Sequence, residues 1–201
     1  MSEPLHPTAE KLLQTVSGML DSDNPHEILV DEVLRHSGVK RGSLYHFFGD
    51  FPSLIRATLL HRFSANVAAD GAAMLSVAEN ASSKEDYWKQ IKELSAVTQV
   101  PERAAARAER ARLISLASSD EDFAAALAKE QQRVTDAMAH AVAAAQAKGW
   151  VDEHLSPRAI AVFLQAYSLG RAVDDVSAEQ LENSQWQLVV EAAIGAFAAG
   201  K

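Results

Sequence analysis

Cysteine is absent from this chain, which excludes a disulfide framework and any thiolate-ligated metal site. No apolar run approaches the roughly 18 residues of a membrane span. The opening MSEPLHPTAEK has neither the basic stretch nor the apolar core of a secretory signal, so a cytoplasmic location is expected and no membrane partner. No glycine-rich phosphate loop or nucleophile elbow is present. The seven histidines (6, 26, 36, 46, 61, 140 and 154) show no metal-ligand spacing with carboxylates. No metal, cofactor or catalytic constellation is therefore expected, and the chain does not read as an enzyme. Positive charge is also scarce: 19 Lys and Arg face 27 Asp and Glu, a formal net charge of −8. That balance argues against a broadly basic nucleic-acid surface.

What is abundant is alanine, within an apolar content of 48% across 201 residues. With few β-branched runs, propensity favours helix over strand. An all-α chain of about nine helices is expected. Thr8 caps a first helix whose apolar face is Leu12, Val16, Met19 and Leu20. Helix two covers Val30 to His36 and helix three Lys40 to Phe48. Asp50 caps a long fourth helix, with Pro52 tolerated in its first turn and Leu54, Leu59, Phe63 and Val67 on its apolar side; it ends near Met74 or Ala78. Ser83 caps a fifth, Pro101 opens a sixth, and Ser119 or Asp120 starts a long seventh that stops at Lys148-Gly149. Ser156-Pro157 starts an eighth carrying Ile160, Phe163, Leu164, Tyr167 and Val173. The last begins between Ser177 and Ser184.

The most specific segment lies between helices two and three. Gly38 stands where a tight helix-to-helix turn needs a positive φ, which glycine reaches without steric cost. The segment after it, Lys40-Arg41-Gly42-Ser43-Leu44-Tyr45-His46-Phe47-Phe48, is basic and aromatic. This is the pattern of a helix-turn-helix whose second helix offers its start to a DNA major groove. The first 56 residues hold five basic and eight acidic side chains, yet Arg35, His36, Lys40, Arg41 and His46 cluster within twelve positions. A local positive face on an acidic body can bind DNA with modest non-specific affinity.

Ser37-Gly38-Val39-Lys40-Arg41-Gly42-Ser43-Leu44-Tyr45-His46-Phe47-Phe48 resembles the turn and recognition helix of the TetR-type family of bacterial regulators, with its A-G-V-x-x-G-[ST]-L-Y-x-x-F pattern. The resemblance implies a helix-turn-helix DNA-binding domain at residues 1–50 and a helical domain at 51–201 that dimerises and binds a small molecule. It implies no enzyme activity. It puts Lys40, Arg41, Gly42, Ser43, Tyr45 and His46 at the DNA, with Val39, Leu44 and Phe48 packing beneath. The chain departs from the family at Phe51, where a phosphate-reaching lysine is usual, and at Leu29, where a capping threonine is usual. The basic residue often found before helix one is missing too, unless His6 substitutes for it.

Some side chains keep two readings. Tyr45 is a half-buried packing ring, a phosphate contact, or both. Phe47 either meets a thymine methyl or packs on helix one or four. Arg103, Arg107 and Arg110 share a helix face; they form an anionic-ligand site or, more plainly, a solvated row paired with Glu102 and Glu109. Asp174-Asp175 reads as a solvated helix end. Candidates for a small-molecule site are Phe63, Trp88, Leu113, Phe123, Gln165 and Arg171, since such pockets are apolar with a few placed polar groups. A four-helix dimer interface from the last two helices would use Phe163, Tyr167, Gly170, Val190, Ile194 and Phe197. The function expected is a homodimeric repressor released from a palindromic DNA operator by a small-molecule effector. The alternative is a ligand- or protein-binding helical dimer with a vestigial DNA-binding domain.

Overall fold

The computed structural model describes residues 5–200, except for the side chains of residues 66–68, so the expected place of Val67 on the apolar side of helix four lies outside the described residues. Among the described residues there are ten α-helices, one 3-10 turn and no strand; a single antiparallel bridge joins Val151 and Ala198. The chain divides into two compact units, Met1–Ala65 and Asn66–Lys201.

The first unit holds α1 (Pro7–Met19), α2 (Val30–Ser37), α3 (Arg41–Phe48) and the first half of α4 (Phe51–Asn80). Its core is the apolar face of α1, Ala9, Leu12, Leu13 and Val16, together with Ile28, Val33, Leu44, Leu54, Ile55, Leu59 and Phe63. Each of these side chains other than Ala9 contributes about 1.5–3 kcal/mol relative to exposure. α1 packs on both α2 and α3. Arg62 of α4 donates to the Ser17 carbonyl at 2.7 Å and to Asp21 at 2.8 Å. The first unit runs to residue 65, beyond the residue 50 implied by the resemblance. The cap of α1 also differs from expectation. Pro7 takes the first helical position and the His6 ring accepts from the Thr8 N–H at 3.2 Å.

The second unit holds the rest of α4 with α5 (Lys84–Gln99), α6 (Ala104–Ala117), α7 (Glu121–Ala147), α8 (Pro157–Gly170), α9 (Ala172–Asp175) and α10 (Asn183–Gly195). The 3-10 turn Pro101–Arg103 leads into α6. α7 packs on α6 and α8, and α10 on α5. Ser83, Asp120 and Ser156 each accept an N–H from the first turn of the helix they precede, as their chemistry predicts. Gly71 permits a close approach of α4 to α7, since a Cβ there would stand 3.3 Å from that of Ala137. Lys148 donates to the Ala78 and Glu79 carbonyls, both at 2.8 Å, and so closes the end of α4. The expected eighth helix is broken at Arg171 into α8 and the one-turn α9. Val173, expected on its apolar face, is exposed.

Gly38 adopts φ +64°, the left-handed conformation expected of it, and the Lys11 ammonium lies beside it. The Gly38→Ala variant should lose about 1–2 kcal/mol of stability, measured by chemical denaturation. An unchanged midpoint would contradict the assignment.

Candidate nucleic-acid interface and ligand cleft

The turn from α2 to α3 is three residues long, Gly38 to Lys40. Ser37 is buried and braces the turn, accepting the Val39 N–H at 3.2 Å. Leu44 is fully buried. The residues one and two positions from it, Gly42, Ser43, Tyr45 and His46, are therefore turned away from the core, and Lys40 and Arg41 stand at the helix start. Lys40, Arg41, Gly42, Tyr45 and His46 are exposed and Ser43 half-buried, so all six expected DNA residues stand on or beside one accessible face. Phe47 stacks on His6 at 4.8 Å and meets His46 edge-on at 4.9 Å. It therefore packs toward the start of α1, the simpler of its two readings, and the His6 ring is occupied there. Arg41 is ion-paired with Asp31 in the first turn of α2, a partner that sequence inspection passed over. α3 starts without a capping side chain. Leu29 likewise offers none to α2 and is exposed.

The second unit contains a cleft of about 610 Å³, open mouth included. Met74, Ile91, Leu94, Met138, Leu164 and Ile194 supply its apolar wall; its polar groups come from Asp70, Ser95, Thr98, Arg110, Gln165, Tyr167 and Ser168. The Gln165 side-chain oxygen accepts from Arg110 at 2.9 Å and from Gln131 at 2.6 Å, while its amide donates to Thr135 and to the Ala161 carbonyl. The Tyr167 hydroxyl pairs with Ser95 at 2.9 Å, and burial raises its pKa. Burial also pushes the Asp70 carboxyl up, against the opposing pull of Arg103 and Arg110. It lowers the Arg110 guanidinium, against the pull of Asp70.

No protein-family model matches the sequence, and no curated protein matches it. Solved structures match the fold. A candidate TetR-family transcriptional regulator from Mesorhizobium loti gives a TM-score of 0.72 at 14% identity, covering 96% of this chain and 97% of that one. A TetR-family transcriptional regulator from Pectobacterium atrosepticum gives 0.62 at 17% identity over 94% and 91%. A candidate transcriptional regulator from Saccharomonospora viridis, in complex with choline, gives 0.66 at 11% identity over 96% and 98%. The chain has the fold of TetR-family transcriptional regulators.

Within this TetR-type fold the expected small-molecule residues disperse. Gln165 lines the cleft. Phe63 belongs to the core of the first unit, and Leu113 and Phe123 are buried core of the second. Trp88 borders a smaller apolar space with Tyr87, Val142 and Val151, its indole donating to the Trp150 carbonyl. Arg171 is buried away from the cleft, over the Trp186 ring and beside Asp174. The expected interface residues also separate. Phe163 and Gly170 are exposed, and Phe197 is half-buried against Phe163 at 5.4 Å. Val190 and Ile194 are 3% and 1% exposed, consumed by the protomer's own core, and Tyr167 faces the cleft. They are not available to a partner. The exposed apolar residues of α8 and α10 are instead Val162, Phe163, Leu188 and Val189.

The arginine row is no solvated face. Arg107 is buried and holds Asp175 through two bonds of 2.6 and 2.7 Å, and Arg110 turns into the cleft. Asp174 and Asp175 are correspondingly engaged, Asp174 by the Leu181 N–H and Arg171. The missed cleft residue with a readable signal is Asp70. It continues the Phe63, Val67, Met74 stripe of α4 at helical spacing, an acid in an apolar row. Truncating Asp175 to Ala leaves the Arg107 charge buried and unpaired, so it should cost about 3 kcal/mol in a denaturation experiment. A loss no larger than that of an exposed ion pair would contradict the pairing.

Proposed function

We propose that the protein is a homodimeric DNA-binding transcriptional repressor, released from a palindromic operator by a small molecule held in the cleft of the second unit. The observation that carries this reading is the face of α3. Lys40, Arg41, Tyr45 and His46 are exposed together, around an anchor, Leu44, that is fully buried. The uncapped start of α3 suits a phosphate oxygen. Lys40 and Arg41 supply charge, and Ser43 and Tyr45 supply hydroxyl donors to the backbone. His46 reaches a base edge or a phosphate.

One helix-turn-helix makes few contacts, and a two-fold dimer doubles them on a palindrome. The exposed apolar Val162, Phe163, Leu188 and Val189 on α8 and α10 support a paired four-helix interface. α4 is shared by both units and contributes Asp70 and Met74 to the cleft. A ligand that prefers one position of that segment shifts the population toward conformers unable to span the operator. Such a regulator works in the cytoplasm with the DNA and needs no catalytic group. No helix among the described residues is long and apolar enough to cross a membrane.

The second reading, a helical ligand- or protein-binding dimer with a vestigial DNA-binding unit, is favoured by one observation: Asp31 already holds Arg41. Selection of bound fragments from genomic DNA at low salt separates the two. The expected result is a palindrome enriched by the native protein and lost by the Lys40→Ala/Arg41→Ala double variant, at an unchanged melting temperature. The salt slope should fall by roughly one unit per phosphate contact removed. Enrichment that survives in the double variant would overturn the placement of the reading helix. A folded dimer that selects nothing would favour the second reading.

A further inference from the structure

The polar groups of the cleft are not equally committed. Gln165 is saturated by Arg110, Gln131, Thr135 and Ala161, and Tyr167 and Ser95 satisfy each other. The Thr98 hydroxyl donates to the Ser95 carbonyl at 2.8 Å. Asp70 is different. It is half-buried against the cleft's apolar wall, and no hydrogen bond or ion pair reaches it from the described residues. A carboxyl group placed so needs a donor from whatever enters. The Ser168 hydroxyl, also without a hydrogen bond among the described residues, can donate or accept and so selects no charge.

The neighbouring charges decide what kind of donor fits. Arg110 lines the cleft together with Asp70, so a cation brought to that carboxyl also meets a guanidinium group. An anion in the cleft meets Asp70. Either ion gives up its hydration in a space walled by Met74, Ile91, Leu94, Met138, Leu164 and Ile194, at a cost that an uncharged group avoids.

We propose that the cleft binds an uncharged, mainly hydrocarbon molecule that donates a hydrogen bond to Asp70, an alcohol or an amide, in preference to an ammonium or a carboxylate of the same skeleton. The proposal rests on the reading of this cleft as the effector site and names the chemistry it selects.

Methionine methyl groups test it directly, because Met74 and Met138 line the cleft while Met19 lies in the first unit. Protein labelled with 13C at the methionine methyls is titrated with 1-octanol, octylammonium or octanoate at neutral pH. 1-Octanol should shift Met74 and Met138 and leave Met19 in place. Each ion should need about tenfold higher concentration for the same shift. Asp70→Leu should weaken 1-octanol about tenfold. Asp70→Asn keeps a carbonyl acceptor and should retain most of the affinity, with the undisturbed Met19 signal reporting an intact fold. Binding of either ion as tight as that of 1-octanol would overturn the proposal. So would 1-octanol leaving both cleft methyls unmoved, or affinity indifferent to Asp70→Leu. No DNA is present in this titration, so its failure leaves the regulator reading to be decided by fragment selection.

Discussion

The burial of Leu44 is the constraint on which the rest of the first unit depends. α3 has eight residues, and an isolated helix of that length is marginal in water. It persists because Leu44 is fully enclosed in a core that also contains Leu12, Val16 and Val33. The same burial sets the rotation of α3. With that residue pinned inward, the positions one and two away are turned outward, and they carry the tyrosine and the histidine, while the lysine and the arginine are exposed at the start of the helix. Gly38 then decides where the helix begins, by turning the chain through a conformation that an L side chain would resist. Packing, turn geometry and exposed charge thus express one arrangement.

The second unit is built on a different balance. Its helices bury charge as well as hydrocarbon, and they do so in two ways. Arg107 and Asp175 neutralise each other through a bidentate pair, a geometry that makes a buried ion pair tolerable. Around the cleft, neutralisation is distributed. Arg110 donates to two amide oxygens and acts on Asp70 only at longer range. The first arrangement is closed and structural. The second leaves a carboxyl with no donor among the described residues, the mark of a surface shaped for something other than its own stability.

Local signals were legible in the sequence and long-range ones were not. The caps at Asp50, Ser83, Asp120 and Ser156 could be read because a cap needs only the next three residues. The left-handed turn at Gly38 and the anchor at Leu44 could be read for the same reason. The apolar stripes of α8 and α10 showed that Tyr167, Val190 and Ile194 would be covered, but periodicity does not say by what, and the protomer itself covers them. Arg107 and Arg110 were visible as a row on one helix face. Their partners, Asp175 for Arg107 and Gln131 and Gln165 for Arg110, lie far along the chain on other helices, so the sequence offered only an anionic-ligand site or local pairing with Glu102 and Glu109. The break at Arg171 follows Gly170, but a lone glycine inside an apolar periodic stretch does not by itself announce a helix end.

On the proposed function, the start of α3 is the surface that meets nucleic acid. The most direct measurement is the shift of backbone amide resonances on adding a random-sequence DNA duplex at low salt. Shifts should be confined to residues 38–46 and their immediate neighbours, and should collapse as salt is raised because phosphate contacts release counterions. Resonances that move elsewhere while those of α3 stay fixed, or that do not move at all in the folded protein, would contradict it.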